Sequence, residues 1–203
     1  GGGTFKFEIA SKDSYDEDQE IYTTTNDFYI EISDGSEQNP YTITSEDDFY
    51  YINNDLTKNY VLVEDIVIKS TETKPYAPIG LKGGQSETFT GTLRGSMDHL
   101  TSSGSAINSD IRTITLILDS NIRTVQGDKD YFGLFAATSS SALIENIDII
   151  VDIDITNVDL ARETYFGGLV GRNAGTINNV NMTISGLFVN QADVNVYFGG
   201  VVG

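Results

Sequence analysis

The feature that most constrains this chain is self-similarity at a spacing of about 33 residues. The stretch Tyr165-Phe166-Gly167-Gly168-Leu169-Val170-Gly171-Arg172-Asn173-Ala174-Gly175-Thr176-Ile177-Asn178-Asn179-Val180 has relatives on both sides of it. Upstream, Gly133-Leu134-Phe135 and then Ile144-Glu145-Asn146-Ile147 keep the same order of small, apolar and Asn positions. Downstream, Tyr197-Phe198-Gly199-Gly200-Val201-Val202-Gly203 begins the pattern again. Gly133, Gly168 and Gly200 are 35 and 32 residues apart, and Asn146 and Asn179 are 33 apart. A period in this range marks a solenoid, in which no unit buries its apolar face alone and stacked neighbours complete the core.

Within the units the apolar residues alternate, so the units are built from strands. Ile114, Leu116 and Leu118 share one face of 111–118, and Ile147, Ile149, Val151, Ile153 and Ile155 form a longer inward row with Asp148, Asp152 and Asp154 outward. Val180, Met182 and Ile184 take the inward role one period later. Between Ile144 and Ile147, and between Ile177 and Val180, the apolar spacing jumps from two to three, which predicts a bend at Asn146 and Asn179. Asn tolerates the left-handed conformation that such a bend needs. In successive coils its amide can stack in a hydrogen-bonded ladder. If that amide is buried, Asn179→Leu should cost roughly 1 to 3 kcal/mol. Gly133, Gly168 and Gly200 suit close backbone approach at corners.

The central stretch resembles the GLUG motif, a Gly-Leu-Val-Gly-centred repeat of bacterial surface adhesins and of the non-catalytic part of immunoglobulin A-cleaving metallopeptidases. Upstream, Asn59-Tyr60-Val61-Leu62, Asp65-Ile66, Pro78-Ile79-Gly80 and Phe89-Thr90-Gly91-Thr92-Leu93-Arg94-Gly95 resemble the coils that precede such repeats, so the likeness spans 42–203. The resemblance implies an all-β fold, a right-handed parallel β-helix. Two departures stand out: a run from Ser96 to Asp110 interrupts the Gly-rich passage, and Val180 stands where many members carry Cys.

The first 40 residues repeat nothing and read as an N-terminal segment at a junction with a preceding module, followed by the β-helix over 41–203. Phe5, Phe7 and Ile9 alternate with charged residues, 11–20 is acidic and polar, and Phe28-Tyr29-Ile30-Glu31-Ile32 alternates again before the Asp34-Gly35 turn. Ser45-Glu46-Asp47-Asp48 has the form of a capping box, with the Ser45 hydroxyl serving a first-turn amide and Asp48 reaching back. A short helix to about Asn54, with Phe49, Ile52 and Leu56 on one face, is expected to cap the N-terminal end of the stack. Without an initiator Met, and stopping inside a repeat at Gly203, the chain reads as an excised piece of something longer.

Charge and composition exclude several classes. With 30 Asp and Glu against 12 Lys and Arg the net charge is −18, which opposes binding to nucleic acid or anionic lipid. The absence of Cys excludes disulfides and thiolate metal sites, and suits an exported protein. No run is long and apolar enough to insert in a membrane.

The candidate chemistry is sparse. His99 beside Asp98 lies in the inserted run with no nucleophile, and reads as a solvated loop residue. Asp148, Asp152 and Asp154 could form a paired-carboxylate glycosidase site or hold calcium, but the next coil offers Asn181, Thr183 and Ser185 and no gripping cations, so an outward solubilising face is favoured. Calcium is therefore the one cofactor considered, with no other metal or cofactor expected. Asn181-Met182-Thr183 fits a glycosylation sequon, and Met182 at a core position places Asn181 on an exposed face, but chance occurrence of the pattern is the favoured account.

The expected function is a non-enzymatic, structural or adhesive segment of a large cell-surface or extracellular fibrous protein. Its partners would be a protein or glycan ligand, or neighbouring copies end to end in a filament. The alternative is an accessory N-terminal region of a secreted peptidase or polysaccharide-acting enzyme.

Overall fold

In the computed structural model the described residues are 33–82, 85–96, 111–123, 129–158, 160, 162–191 and 193–203. The strands expected over 4–9 and 28–32, together with His99, lie outside them. The chain enters as strand β1 (Tyr41–Ile43), helix α1 (Glu46–Tyr51) and a 3-10 turn (Ile52–Asn54). The first coil then supplies β2 (Asn59–Leu62) and β3 (Ile66–Lys69), followed by a small antiparallel hairpin, β4 (Leu81–Lys82) with β5 (Gln85–Ser86). The second coil runs through β6 (Thr92–Arg94), β7 (Arg112–Asp119), β8 (Lys129–Phe132) and β9 (Phe135–Ala137). β10 (Leu143–Val158), β11 (Glu163–Gly167) and β12 (Val170–Arg172) make the third, and β13 (Thr176–Asn190) and β14 (Val196–Gly199) the last.

These strands stack in parallel into a β-solenoid with three faces. The major sheet has seven strands, the second sheet is β8-β11-β14, and the third is β9-β12, extended by single bridges from Ile79 and Val202. Among the described strands only the hairpin is antiparallel. Inward side chains from all three faces meet in one core that holds Leu93, Ile114, Leu116, Phe135, Ile147, Ile149, Val151, Phe166 and Leu169. The alternation read from the sequence is the alternation of burial along β10, whose inward residues from Ile147 to Ile155 are buried.

Two stacks run along the axis of the second sheet. Phe132, Phe166 and Phe198 lie one above another with ring centroids 6.2 and 4.7 Å apart, and Tyr131, Tyr165 and Tyr197 do so at 5.5 and 4.8 Å. This is the structural reason for the repeated Tyr-Phe pair: parallel in-register pairing places identical residues about 4.8 Å apart, where rings stack.

Asn146 and Asn179 adopt φ of 54° and 48°, the left-handed bend expected of them. The Asn179 side-chain amide donates to the side-chain oxygen Oδ1 of Asn146 at 2.8 Å, so the ladder exists, but on the exposed side of the bend. The cost of Asn179→Leu is accordingly smaller than a buried amide would give: about 1 kcal/mol, mainly from forcing a branched residue into left-handed backbone. Asn179→Gly should be close to neutral, and denaturant midpoints of the two variants would separate backbone strain from hydrogen bonding.

The second coil treats the same bend differently. Arg94 pairs with Glu145 and Arg112 with Ile147, so an insertion in the sequence separates Arg94 from Arg112 where Asn146 alone separates their partners. The ladder closes across it, with Gly95 N–H donating to the Glu145 carbonyl at 3.1 Å and Arg112 N–H to the Gly95 carbonyl at 2.9 Å. Gly95 is required by close approach, since a Cβ there would lie 2.1 Å from the Asn146 carbonyl oxygen. Of the corner glycines singled out from the repeats, a Cβ on Gly133 would meet Gly167 and Leu169 backbone at 2.8 Å and one on Gly168 the Met182 sulfur at 2.5 Å, whereas Gly200 faces open space.

The N-terminal end is capped. β1 adds a strand beside β2, and α1 lies over the core beyond β3 with Phe49 and Ile52 fully buried. Ser45 caps α1 by accepting from Asp48 N–H at 3.2 Å. Asp48 reaches back one residue further than a capping box requires, accepting from the Thr44 N–H and hydroxyl at 3.0 and 2.7 Å. Those two bonds, the hydroxyl foremost, hold the Asp48 carboxyl below its ordinary value. Glu46 accepts from the Lys69 N–H on β3, and Lys74 bridges Glu46 and Asp47 at 2.9 and 3.1 Å while lying over the Tyr50 ring. Ser45→Ala should lower stability by about 1 kcal/mol, read as a shift in the unfolding midpoint.

Candidate functional site

The outer face of the major sheet carries the acids that the sequence put forward. On β10, Asp148 is half-buried, Asp152 and Asp154 are exposed, and Ile150 between them is 41% exposed. Each acid stands in register with one residue of the coil below and one of the coil above: Asp148 between Thr113 and Asn181, Asp152 between Ile117 and Ser185, Asp154 between Asp119 and Leu187. Neutral donors answer the first two. Asn181 Nδ2 donates to Asp148 at 2.8 Å, and the Ser185 hydroxyl to Asp152 at 3.3 Å.

The three acids are spread along the strand. Asp148 and Asp152 are four residues apart, about 13 Å in an extended chain, and Asp152 and Asp154 about 7 Å. Among the described residues no group of three or more His, Cys, Asp or Glu side chains is placed to hold a metal ion. The structure brings Asp154 beside Asp119, but the Asp119 carboxylate is already occupied: it accepts from the Ser70 hydroxyl at 2.6 Å, the Asn121 N–H at 2.8 Å and the Asn121 side-chain amide at 3.0 Å. The arrangement is a polar surface whose side chains lock one coil to the next.

Sequence reasoning missed that Ser70-Asp119-Asn121 corner. Ser70 is buried, 49 residues from Asp119, and its hydroxyl also accepts from the Asp119 N–H at 2.7 Å. Partial burial pushes the Asp119 carboxyl up, but the bonds from Ser70 and Asn121 outweigh it and the net shift is downward. A carboxyl lowered on folding stabilises the fold above its unfolded value and loses that contribution as the pH falls through the folded one. Asp119→Asn should therefore flatten part of the acid side of the stability profile below about pH 4, measured by thermal melts across pH.

The second missed contact is the buried Arg94. Its Nε donates to Glu145 Oε1 at 2.7 Å across β6 and β10, with Glu37 at 3.9 Å from Nη2. It sits where the chain departs at Gly95 into the inserted run. Neither contact falls on the 33-residue period, so no repeat signal announced it.

Among the described residues the exposed large apolar side chains are few. Val67, Ile150, Leu187 and Val189 lie outward on the major sheet, Tyr51 ends α1, and Tyr197 and Phe198 lie on the last coil. β13 pairs only with β10 among the described strands, and its inward residues Ile177, Val180, Met182, Ile184 and Phe188 are partly exposed. No helix among the described residues is long and apolar enough to cross a membrane.

A parallel stack with aromatic columns, an Asn ladder and polar side-chain rungs defines a β-solenoid repeat protein. Over 178 residues, 83% of its length, the chain is 30% identical to Halomucin of Haloquadratum walsbyi. Those residues span 2% of the length of Halomucin. No family model matches the chain, and no solved structure matches it.

Proposed function

We propose that this chain is a non-enzymatic structural segment of a large cell-surface or extracellular protein, a rigid spacer that also presents surface. The observation that carries the reading is the rung pattern of the outer face, where Asp148 and Asp152 are each bonded to a neutral donor of the next coil. Side chains spent in this way reinforce stacking, which is what a spacer needs. The similarity to a very long protein, of which the chain spans 2%, supports placement within a longer fibre. The GLUG-like character of 165–180 and 197–203 and an adhesive role belong to the same proposal, as does an extracellular location. Any ligand would be a protein or a glycan on a neighbouring surface, and the exposed Tyr197 and Phe198 offer the last coil a stacking surface for a further coil or a second copy. Calcium on the outer acids is not part of the proposal: chelation should leave the melting temperature within about 1 °C, since a bound ion at a hundred times its Kd adds about 2.7 kcal/mol and would be visible.

The test is antibody labelling of intact and of permeabilised source cells with serum raised against this segment. Labelling of intact cells is expected. Signal confined to permeabilised cells would refute the surface reading.

A further inference from the structure

We infer that Asn181 is a site of N-linked glycosylation, and that the outer face of the major sheet around it is a sugar-covered surface rather than a docking surface for another protein. The inference rests on the surface location proposed above, because the donor saccharide meets only exported chains. Asn181-Met182-Thr183 fits the acceptor pattern, with Met rather than Pro between. Alone that is weak, since a three-residue pattern arises by chance in a chain of this length. The fold adds what the pattern lacks.

On an extended strand, residues two apart share a face. β13 places Met182 against the core and turns both Asn181 and Thr183 outward, where both are exposed. The amide and the hydroxyl that define the acceptor are thus presented together. Asn181 Nδ2 donates one hydrogen bond, to Asp148, and after substitution the nitrogen still has one N–H to give. The coupling therefore does not require the rung between coils to be broken.

The neighbourhood gives a second reason. Ile150 stands in register with Thr183 and one strand across from Asn181, 41% exposed, with Val67 at 55% further along the same outer column. Apolar side chains in the middle of a polar, acidic face are unexplained by solubility. The first sugar on Asn181 would lie over this column, and the apolar face of a pyranose ring suits it. Neutral saccharide also adds bulk without adding to a net charge of −18.

In the transfer, Asn181 Nδ2 bonds to the anomeric carbon of a saccharide carried on a lipid phosphate. The bond from that carbon to the phosphate oxygen breaks, the lipid phosphate leaves with the electron pair, and one amide proton passes to a base of the transferase. No oxidant or reductant is involved.

The experiment is peptide mass spectrometry on the protein recovered from the outside of its source cells, alongside Asn181→Gln, Thr183→Ala and Thr183→Ser variants made in the same cells. A saccharide mass on Asn181 is expected, lost entirely in the Gln and Ala variants and kept in the Ser variant. Thr183→Ala leaves the bond from Asn181 to Asp148 in place, so its melting temperature should stay with that of the unglycosylated parent, whereas Asn181→Gln also displaces that rung. Unmodified Asn181 on chains recovered outside the cell overturns the inference while leaving the surface reading intact. Recovery only from the cell interior overturns both.

Discussion

Transfer from about 1 M to about 10 mM sodium chloride is expected to lower the stability of this chain by roughly 3 to 5 kcal/mol, or about 10 to 15 °C in melting temperature. The cause is self-repulsion. The chain carries 30 Asp and Glu against 12 Lys and Arg, and folding places seven of these carboxylates, among them Asp119, Asp148, Asp152 and Asp154, on described strands stacked about 4.8 Å apart. Asp119 and Asp154 are direct neighbours on the outer face, and Glu46, Asp47 and Asp48 stand together in the first turn of α1. At 10 mM salt the screening length is about 30 Å, comparable to the molecule, so every acid repels most of the others. At 1 M it is about 3 Å, and only immediate neighbours interact. The rise should therefore be steep at low salt and flatten toward 1 M. Sucrose in place of salt should not reproduce it, which separates screening from general exclusion of solute from the surface. Asp154→Asn should reduce the dependence by relieving the Asp119 pair. A melting temperature that does not move with salt would show that the charges are too well dispersed to matter.

Phe135→Ala should cost about 3 to 5 kcal/mol, the largest effect expected of any single core truncation here. Phe135 is fully buried on β9, and three parts of the molecule converge on it. Its ring lies 4.6 Å from that of Phe89, which returns the chain from the β4-β5 hairpin, and 6.1 Å edge-on from Phe49 of α1. Its backbone pairs with Ile79 of the first coil and Val170 of the third. Truncation leaves a cavity that rigid stacked coils cannot collapse to fill, and it loosens the cap as well as the core. Against a total of about 5 to 15 kcal/mol for an ordinary domain, much of the stability would go. Denaturant unfolding would read the loss. Limited proteolysis should cut near α1 at lower denaturant than elsewhere, because the cap loses its anchor on Phe135. A change below about 1 kcal/mol would mean that the cap and coils do not depend on this aromatic centre.

Much of this architecture is written locally. Alternation of apolar and polar residues fixes strands, a jump in that alternation at Asn146 and Asn179 fixes bends, and repetition fixes the stacking partner, because Ile147 and Val180 can pair only if their coils are in register. The capping helix was legible for the same reason, since Ser45 and the buried face of Phe49 and Ile52 are close in sequence. The outer face was legible in part: the acids are where alternation puts them, and their rungs to Asn181 and Ser185 follow the period.

Depth and off-period contacts were decided only by the tertiary structure. Whether the Asn ladder is buried depends on what covers the bend, and it proves exposed, which reduces its expected contribution to stability. Ser70 meets Asp119 across 49 residues, and Arg94 meets Glu145 across 51. The hairpin before Phe89 and the run after Gly95 lengthen the early coils, so their pairings fall away from the 33-residue spacing of the later ones. A repeat announces itself in sequence when coils of equal length put like residues in register. An insertion keeps the register in space and erases it from the numbering, so those contacts could be found only by seeing the coils stacked.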